Sequence, residues 1–305
     1  MNHILSNLIT EQPNAKTSHI DQLDSQQIMY LINEQDQGVA SCVHELIPLI
    51  AKAADWVVDA FNEGGRLFYV GAGTSGRIGI LDASECPPTY GTDPSMVQGL
   101  IAGGFKAIKD PVEGAEDSAE LGAQNIDEHG ITSKDVVIGI AASGRTPYVL
   151  GAMKRAGELG ARVVGICNNH GTPMALHAQL LIEAVVGPEA IMGSTRMKSA
   201  TAQKLILNML TTTSMIRIGK VYRNLMVDLN PSNEKLVYRA KRIIEMATDA
   251  PEDQVEQAFQ EAAGHVKTAI VMIRAGVDAE EAKKLLELSG GFVSQAIEKN
   301  GAKKI

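Results

Sequence analysis

The chain has 305 residues, 45% of them hydrophobic, and 28 basic against 36 acidic side chains give a formal net charge of −8. That length and apolar fraction suffice for one large packed domain or two smaller ones, and the acidic balance argues against nucleic acid or anionic membrane as a general partner. The start, Met1-Asn2-His3-Ile4-Leu5-Ser6, lacks the basic stretch and long apolar run of a leader, and no later run approaches membrane-spanning length. Cys42, Cys86 and Cys167 are too scattered for a disulfide framework or a zinc site, and the seven histidines form no ligand pattern. The expectation is a cytoplasmic protein without a metal.

Residues 1–20 are polar and aperiodic. Helical spacing then shows in Gln27–Gln35 and over the longer Val39–Asn62 stretch, where Val39, Val43, Leu46, Ile50, Ala53, Val57 and Phe61 recur on one face until Gly64-Gly65. From Leu67 the pattern alternates: strand Leu67–Val70, a helix from about Gly76 that Pro87-Pro88 must stop, strand Val97–Ala102, and a helix near Ser118–Asp127. Strand Val136–Ile140, helix Pro147–Leu159 and strands Val163–Cys167 and Leu180–Val185 follow. Short apolar runs between helices predict an α/β fold, a parallel sheet flanked by helices on both faces. The long helix Met197–Ile218 closes this unit, and its Met209 and Met215 read as core or subunit interface. Beyond it only helical patterns occur, with Asp278–Glu281 as a capping box and Gly290-Gly291 as a break. The expected division is an N-terminal helical segment over 1–56, the sheet domain over 57–230 and a small all-helical C-terminal domain over 231–305.

Two of the strands run into loops rich in glycine, hydroxyls and arginine: Gly71-Ala72-Gly73-Thr74-Ser75-Gly76-Arg77 and Ser143-Gly144-Arg145-Thr146-Pro147. Glycine lets backbone approach a ligand, hydroxyls donate hydrogen bonds, and the N–H groups opening the next helix face an anion with the helix dipole behind them. Thr146 sits at an N-cap position with Pro147 at the first helical one. Thr74, Ser75, Gly76, Ser143, Gly144, Arg145 and Thr146 are therefore the candidate contacts of a phosphorylated sugar, one loop holding the phosphate and the other the rest of the ligand. Gly71-x-Gly73-x-x-Gly76 also satisfies a dinucleotide fingerprint, but Val97–Ala102 runs into Gly103-Gly104 without the carboxylate that holds a ribose. No cofactor is expected.

Among the carboxylates near these loops, Asp82, Glu85, Glu113, Glu116 and Asp117 each read alone as a solvated face or a cap. Glu85 stands out because small and apolar neighbours before Pro87 can raise its pKa, and Glu116 because it follows Gly114-Ala115, where backbone can approach a ligand. Two carboxylates in different surroundings suit an acid/base pair. Gly193-Ser194-Thr195-Arg196-Met197-Lys198 opens the long helix with a hydroxyl cap and two cations. For Ser194, Arg196 and Lys198 a cap with solvated charge stands level with a grip on substrate oxygens, and Glu189 after Gly187-Pro188 is equally open.

Gly71–Arg77 continuing through Leu81–Thr89, with Val112–Asp117, Ala141–Pro147, Gly193–Lys198, Asn208–Leu210 and Asn224–Asp228, resembles the N-acetylmuramic acid 6-phosphate etherases over nearly the whole chain. The resemblance implies a sugar isomerase (SIS) sheet domain, a ubiquitin-associated-like helical tail and a homodimer with the site near the interface. It further implies cleavage of the lactyl ether of N-acetylmuramic acid 6-phosphate, with Glu85 as proton donor and Glu116 as the second catalytic acid. An aldose–ketose isomerase and a non-catalytic sugar-phosphate sensor share such loops and are the alternatives. If Ser75 to Glu85 is one helix, ten residues separate them by about 15 Å along the axis, more than a hexose phosphate spans comfortably. Either Gly79 breaks that helix or Glu85 acts on a substrate held by a partner chain.

Overall fold

The computed structural model describes residues 7–231 and 233–302, so the leader motif sought in Met1–Ser6 lies outside the described residues. The chain divides into two compact units, Met1–Ser84 with Ser95–Thr211, and Glu85–Pro94 with Thr212–Ile305.

In the first unit five parallel strands, β1 (Leu67–Gly71), β2 (Val97–Ile101), β3 (Val136–Ile140), β4 (Arg162–Cys167) and β5 (Leu180–Glu183), stand in the order β2-β1-β3-β4-β5. Every residue of β1 and β3 is buried, as the continuous apolar runs require of strands covered on both faces. The chain leaves β1 toward β2 and returns on the other side at β3. The loops after β1 and β3 therefore diverge and open a crevice at the carboxyl ends of the strands, where ligands bind in open α/β sheets.

Helices α1 (Ser25–Glu45), α2 (Ile47–Asn62), α3 (Gly73–Tyr90), α4 (Lys106–Lys109), α5 (Ala119–Glu128), α6 (Pro147–Glu158) and α7 (Lys198–Arg217) complete the alternation. Three expectations need correction. The Val39–Asn62 stretch is not one helix: the chain bends at Leu46, because Pro48 in the first turn of α2 has no N–H to continue the ladder of α1. The buried Val39 and Val43 belong to α1, and Ile50, Ala53 and Val57 to α2. Helix α3 begins at Gly73 instead of Gly76, and Pro87-Pro88 does not stop it. Both prolines fall in its final turns, where few bonds remain to lose. Gly91 N–H still donates to Pro87 O at 2.9 Å, and Gly91 at φ +59° is what ends the helix. Gly79 lies inside α3 and leaves it unbroken; a Cβ there would come within 2.8 Å of the Tyr69 side chain, so its bareness seats the helix on β1.

The second unit holds a hairpin, β6 (Val221–Tyr222) with β7 (Leu225–Met226), and five helices: α8 (Glu234–Thr248), α9 (Glu252–Glu261), α10 (Val266–Ala275), α11 (Ala279–Leu288) and α12 (Val293–Ala302). Ile244, Val255, Ile270, Leu285 and Val293 share its core. Asp278 caps α11 by accepting from Glu281 N–H, and Gly290 and Gly291, both at positive φ, separate α11 from α12. Among the described residues no helix is long and apolar enough to cross a membrane.

Candidate functional site

A cavity of about 480 Å³ in the first unit opens where the sheet topology places the crevice. The loop after β1 brings Thr74 and Ser75 to it, the loop after β3 brings Ser143, Arg145 and Thr146, and Glu116 and Asp117 line the same space. Ser75, 8% exposed, lines the cavity from the first turn of α3. Thr146 occupies the N-cap position of α6 with Pro147 first in the helix, as the sequence predicts, and its side chain makes no cap bond. Pro147 fixes the first helical φ without needing a partner for an N–H. The Thr146 hydroxyl and the opening N–H groups of α6 are thereby left for a ligand, with the helix dipole favouring an anion. Ser143 Oγ accepts from Arg145 N–H at 3.2 Å, and Arg145 keeps its Nε buried without a hydrogen-bond partner in this structure.

The two glycines expected to contact ligand have positions with other demands. Gly144 adopts φ +64° in the turn closed by its own N–H to Ala141 O at 2.9 Å, and a Cβ there would press on Thr172 at 2.5 Å. Gly76 is buried, and a Cβ would meet Ile101 Cγ1 at 2.6 Å, so it serves the close packing of α3 on β2.

Glu116 follows Gly114, at φ +74°, in a short turn over Ala115–Asp117. It also lines a neighbouring cavity of about 250 Å³ with Arg77 and Glu113. Glu85 is on α3 in the second unit and is exposed, so its apolar sequence neighbours do not bury it. One turn earlier, Asp82 is held inside the first unit: Tyr69 Oη donates to Oδ2 at 2.9 Å and Thr211 Oγ1 to Oδ1 at 3.1 Å. Burial pushes its pKa up to about 6, with these two hydrogen bonds and the charge of Lys204 pulling part of the way back.

Helix α7 is not capped by Ser194. Glu189, with no exposed surface, accepts from Lys198 N–H and Ser199 N–H at 2.9 Å each, so both carboxylate oxygens are committed to the helix N-terminus. Lys198 is 4% exposed, and burial lowers its pKa while the charges of Glu189 and Asp36 oppose that shift. Glu189 and Lys198 are thus buried at the start of α7 and do not line the cavity. Ser194 is half-buried and Arg196 exposed on that loop, and Thr195, not singled out from sequence, is the residue that lines the cavity.

Two further lining residues come from a segment that sequence periodicity passed over. Thr10 and Glu11 end a short turn over Ile9–Glu11. Asn169 Oδ1 accepts from Ile9 N–H at 2.7 Å and Thr10 N–H at 3.4 Å, while its Nδ2 donates to Thr10 Oγ1 at 3.1 Å and Ala142 O at 2.9 Å. The pair Asn168-Asn169 directly after an apolar strand was the available signal, since such polar residues at the carboxyl end of β4 need partners. Among the described residues no three His, Cys, Asp or Glu side chains gather as a metal ligand set.

Profiles of two families match: the glucokinase regulatory protein N-terminal SIS domain over residues 49–157 and the SIS domain over residues 105–213. An N-acetylmuramic acid 6-phosphate etherase from Clostridioides difficile is 56% identical over 293 residues, covering 96% of each chain. One from Aeromonas hydrophila is 56% identical over 291 residues, covering 95% of this chain and 98% of the relative. A phosphoheptose isomerase structure from Francisella tularensis aligns with 64% of this chain and 100% of its own at 17% identity and a TM-score of 0.47.

Proposed function

Because the chain belongs to the N-acetylmuramic acid 6-phosphate etherase family, we propose that it cleaves the D-lactyl ether of N-acetylmuramic acid 6-phosphate, giving N-acetylglucosamine 6-phosphate and D-lactate. The observation that carries this reading is the cavity between the β1 and β3 loops, where hydroxyl and guanidinium donors and carboxylates line one space. Ser75, Ser143 and Thr146 hold the 6-phosphate with the N-terminus of α6, and Thr74 and Arg145 add donors to the same ligand. Gly76 and Gly144 set the backbone of the two loops. Ser194 and Arg196 close over the sugar from the 192–196 loop, which Glu189 and Lys198 brace.

In the open-chain sugar the C2 proton is acidified by the C1 aldehyde. Glu116 takes that proton, the C2–H electrons form the C2–C3 double bond, and the C3–O bond breaks as Glu85 protonates the departing lactate oxygen. Water then adds at C3: Glu85, now a carboxylate, takes a proton from the water, and Glu116 returns one to C2. Each proton-transfer group contributes about 10²–10⁴-fold. No cofactor enters.

The protein works as a homodimer in the cytoplasm, where a phosphorylated sugar is retained. In this reading the active site is shared, Glu85 serving the substrate held by the other subunit. The test is release of D-lactate from N-acetylmuramic acid 6-phosphate by the purified protein. An aldose–ketose isomerase would convert sugar phosphates without lactate, and a sensor would bind without turnover.

A further inference from the structure

We propose that Glu11 is a substrate-binding residue of this cavity, its carboxylate accepting a hydrogen bond from a hydroxyl or amide N–H of the sugar away from the phosphate. The inference rests on the phosphosugar reading of the cavity. Glu11 lines the space together with Ser75, Ser143 and Thr146. Its position is over-determined. Thr10 is 1% exposed, Asn169 grips both N–H groups before Glu11, and Gly193 N–H donates to Thr10 O at 3.3 Å. The same Asn169 side chain binds Ala142 O, the residue before Ser143, so one amide ties the N-terminal turn to a candidate phosphate loop. Ordering a terminal segment costs conformational entropy at every residue, and here buried polar groups offset that cost.

The carboxylate itself makes no hydrogen bond or ion pair with a described residue. Half-buried, it stands next to the 192–195 loop, one oxygen lying 3.4 Å from where a Cβ on Gly193 would be. An ionised carboxylate only accepts. Against a phosphate it would repel, whereas the hydroxyls and the acetamido N–H of an amino sugar are the donors that satisfy it. Glu11 therefore also fixes orientation, by disfavouring the anionic ends of the ligand at its own position.

The experiment compares wild type, Glu11→Gln and Glu11→Ala in D-lactate release and in competitive inhibition by inorganic phosphate. A hydrogen bond to a charged group corresponds to roughly a ten- to hundred-fold loss of kcat/KM in Glu11→Ala, carried mainly by KM, with a smaller loss in Glu11→Gln. The inhibition constant for inorganic phosphate is expected to stay the same or tighten in both variants, because a negative charge has gone. Wild-type kcat/KM in Glu11→Ala overturns the proposal. So does weakened phosphate inhibition, which would mean that the turn only shapes the phosphate loop. If wild type releases no lactate, the etherase reading fails separately. Calorimetry then decides on Glu11: N-acetylglucosamine 6-phosphate must bind at least ten-fold more weakly to Glu11→Ala while inorganic phosphate binds equally.

Discussion

Replacing Asp82 by asparagine should change how the stability of the first unit depends on pH. The ordinary value for this carboxyl is 3.8, and burial raises it to about 6 in the folded protein. Between those values the folded state binds more protons than the unfolded state, so this group makes stability fall as pH rises from about 4 to 6. A shift of about two pH units corresponds to about 3 kcal/mol. The hydrogen bonds accepted from Tyr69 and Thr211 favour the carboxylate and return part of that shift, yet the neutral acid also fits. Thr211 has one hydroxyl proton and two acceptors, Asp82 Oδ1 at 3.1 Å and Leu207 O at 3.0 Å. A protonated Asp82 can donate to Thr211 and free that proton for Leu207, whereas the carboxylate competes for it. The asparagine side chain of the variant is neutral at every pH, keeps an acceptor for Tyr69, and offers an N–H to Thr211. Urea unfolding of both proteins from pH 4.5 to 7.5 at constant ionic strength, followed by the fluorescence of Trp56, the chain's single tryptophan, isolates the effect. The stability of Asp82→Asn relative to wild type should rise by about 2 kcal/mol across that range, the remainder of the effect lying below pH 4.5. A constant offset, or a difference falling with pH, would refute the reasoning.

Ser143→Ala should raise KM with folding intact, by a factor matching roughly 1.5–3 kcal/mol for one hydrogen bond to a phosphate, measured by D-lactate release. Unchanged kinetics would remove the second loop from the site. In deuterated water Glu116→Gln should abolish exchange of the C2 proton, whereas Glu85→Gln should retain exchange while blocking lactate release; exchange surviving in the Glu116 variant would reverse the roles. Mixing inactive Ser143→Ala/Thr146→Ala protein with inactive Glu85→Gln protein under subunit exchange should restore activity at one site of each heterodimer. No recovery despite demonstrated heterodimers would put Glu85 and the phosphate loops to work within one subunit. Glu189→Ala should cost roughly 1–3 kcal/mol in thermal or urea unfolding, because two buried helix N–H groups lose their acceptor.

The sheet was readable because its strands are buried on both faces: Leu67–Gly71 and Val136–Ile140 are continuous apolar runs, and their ends differ from the expected ones by at most a residue. The two loops could be located because glycine and hydroxyl clusters directly follow such runs, and both loops line the cavity. What periodicity missed depends on contacts distant in sequence. The cap of α7 comes from Glu189, nine and ten residues before the N–H groups it binds, while Ser194 stood in the local position for the task. The break at Leu46 was hidden because the buried Val39 and Val43 of α1 and Ile50, Ala53 and Val57 of α2 keep the apolar spacing across the junction. Glu11 carried no pattern at all, because its turn is held by Asn169 and not by neighbours in the chain.

That latch spans 160 residues of sequence. Closing so long a loop costs on the order of 4–5 kcal/mol in chain entropy. During synthesis Ile9–Glu11 leaves the ribosome early and has nothing to dock on until β4 and Asn169 have followed and the sheet has formed. One wall of the cavity is thus among the last parts of the first unit to assemble, and an unfinished chain presents the β1 and β3 loops without it. As a near-terminal segment joined to the sheet chiefly through Asn169 and Gly193, this turn can open without unfolding the sheet, so occupancy by ligand and attachment of the N-terminal turn should reinforce one another.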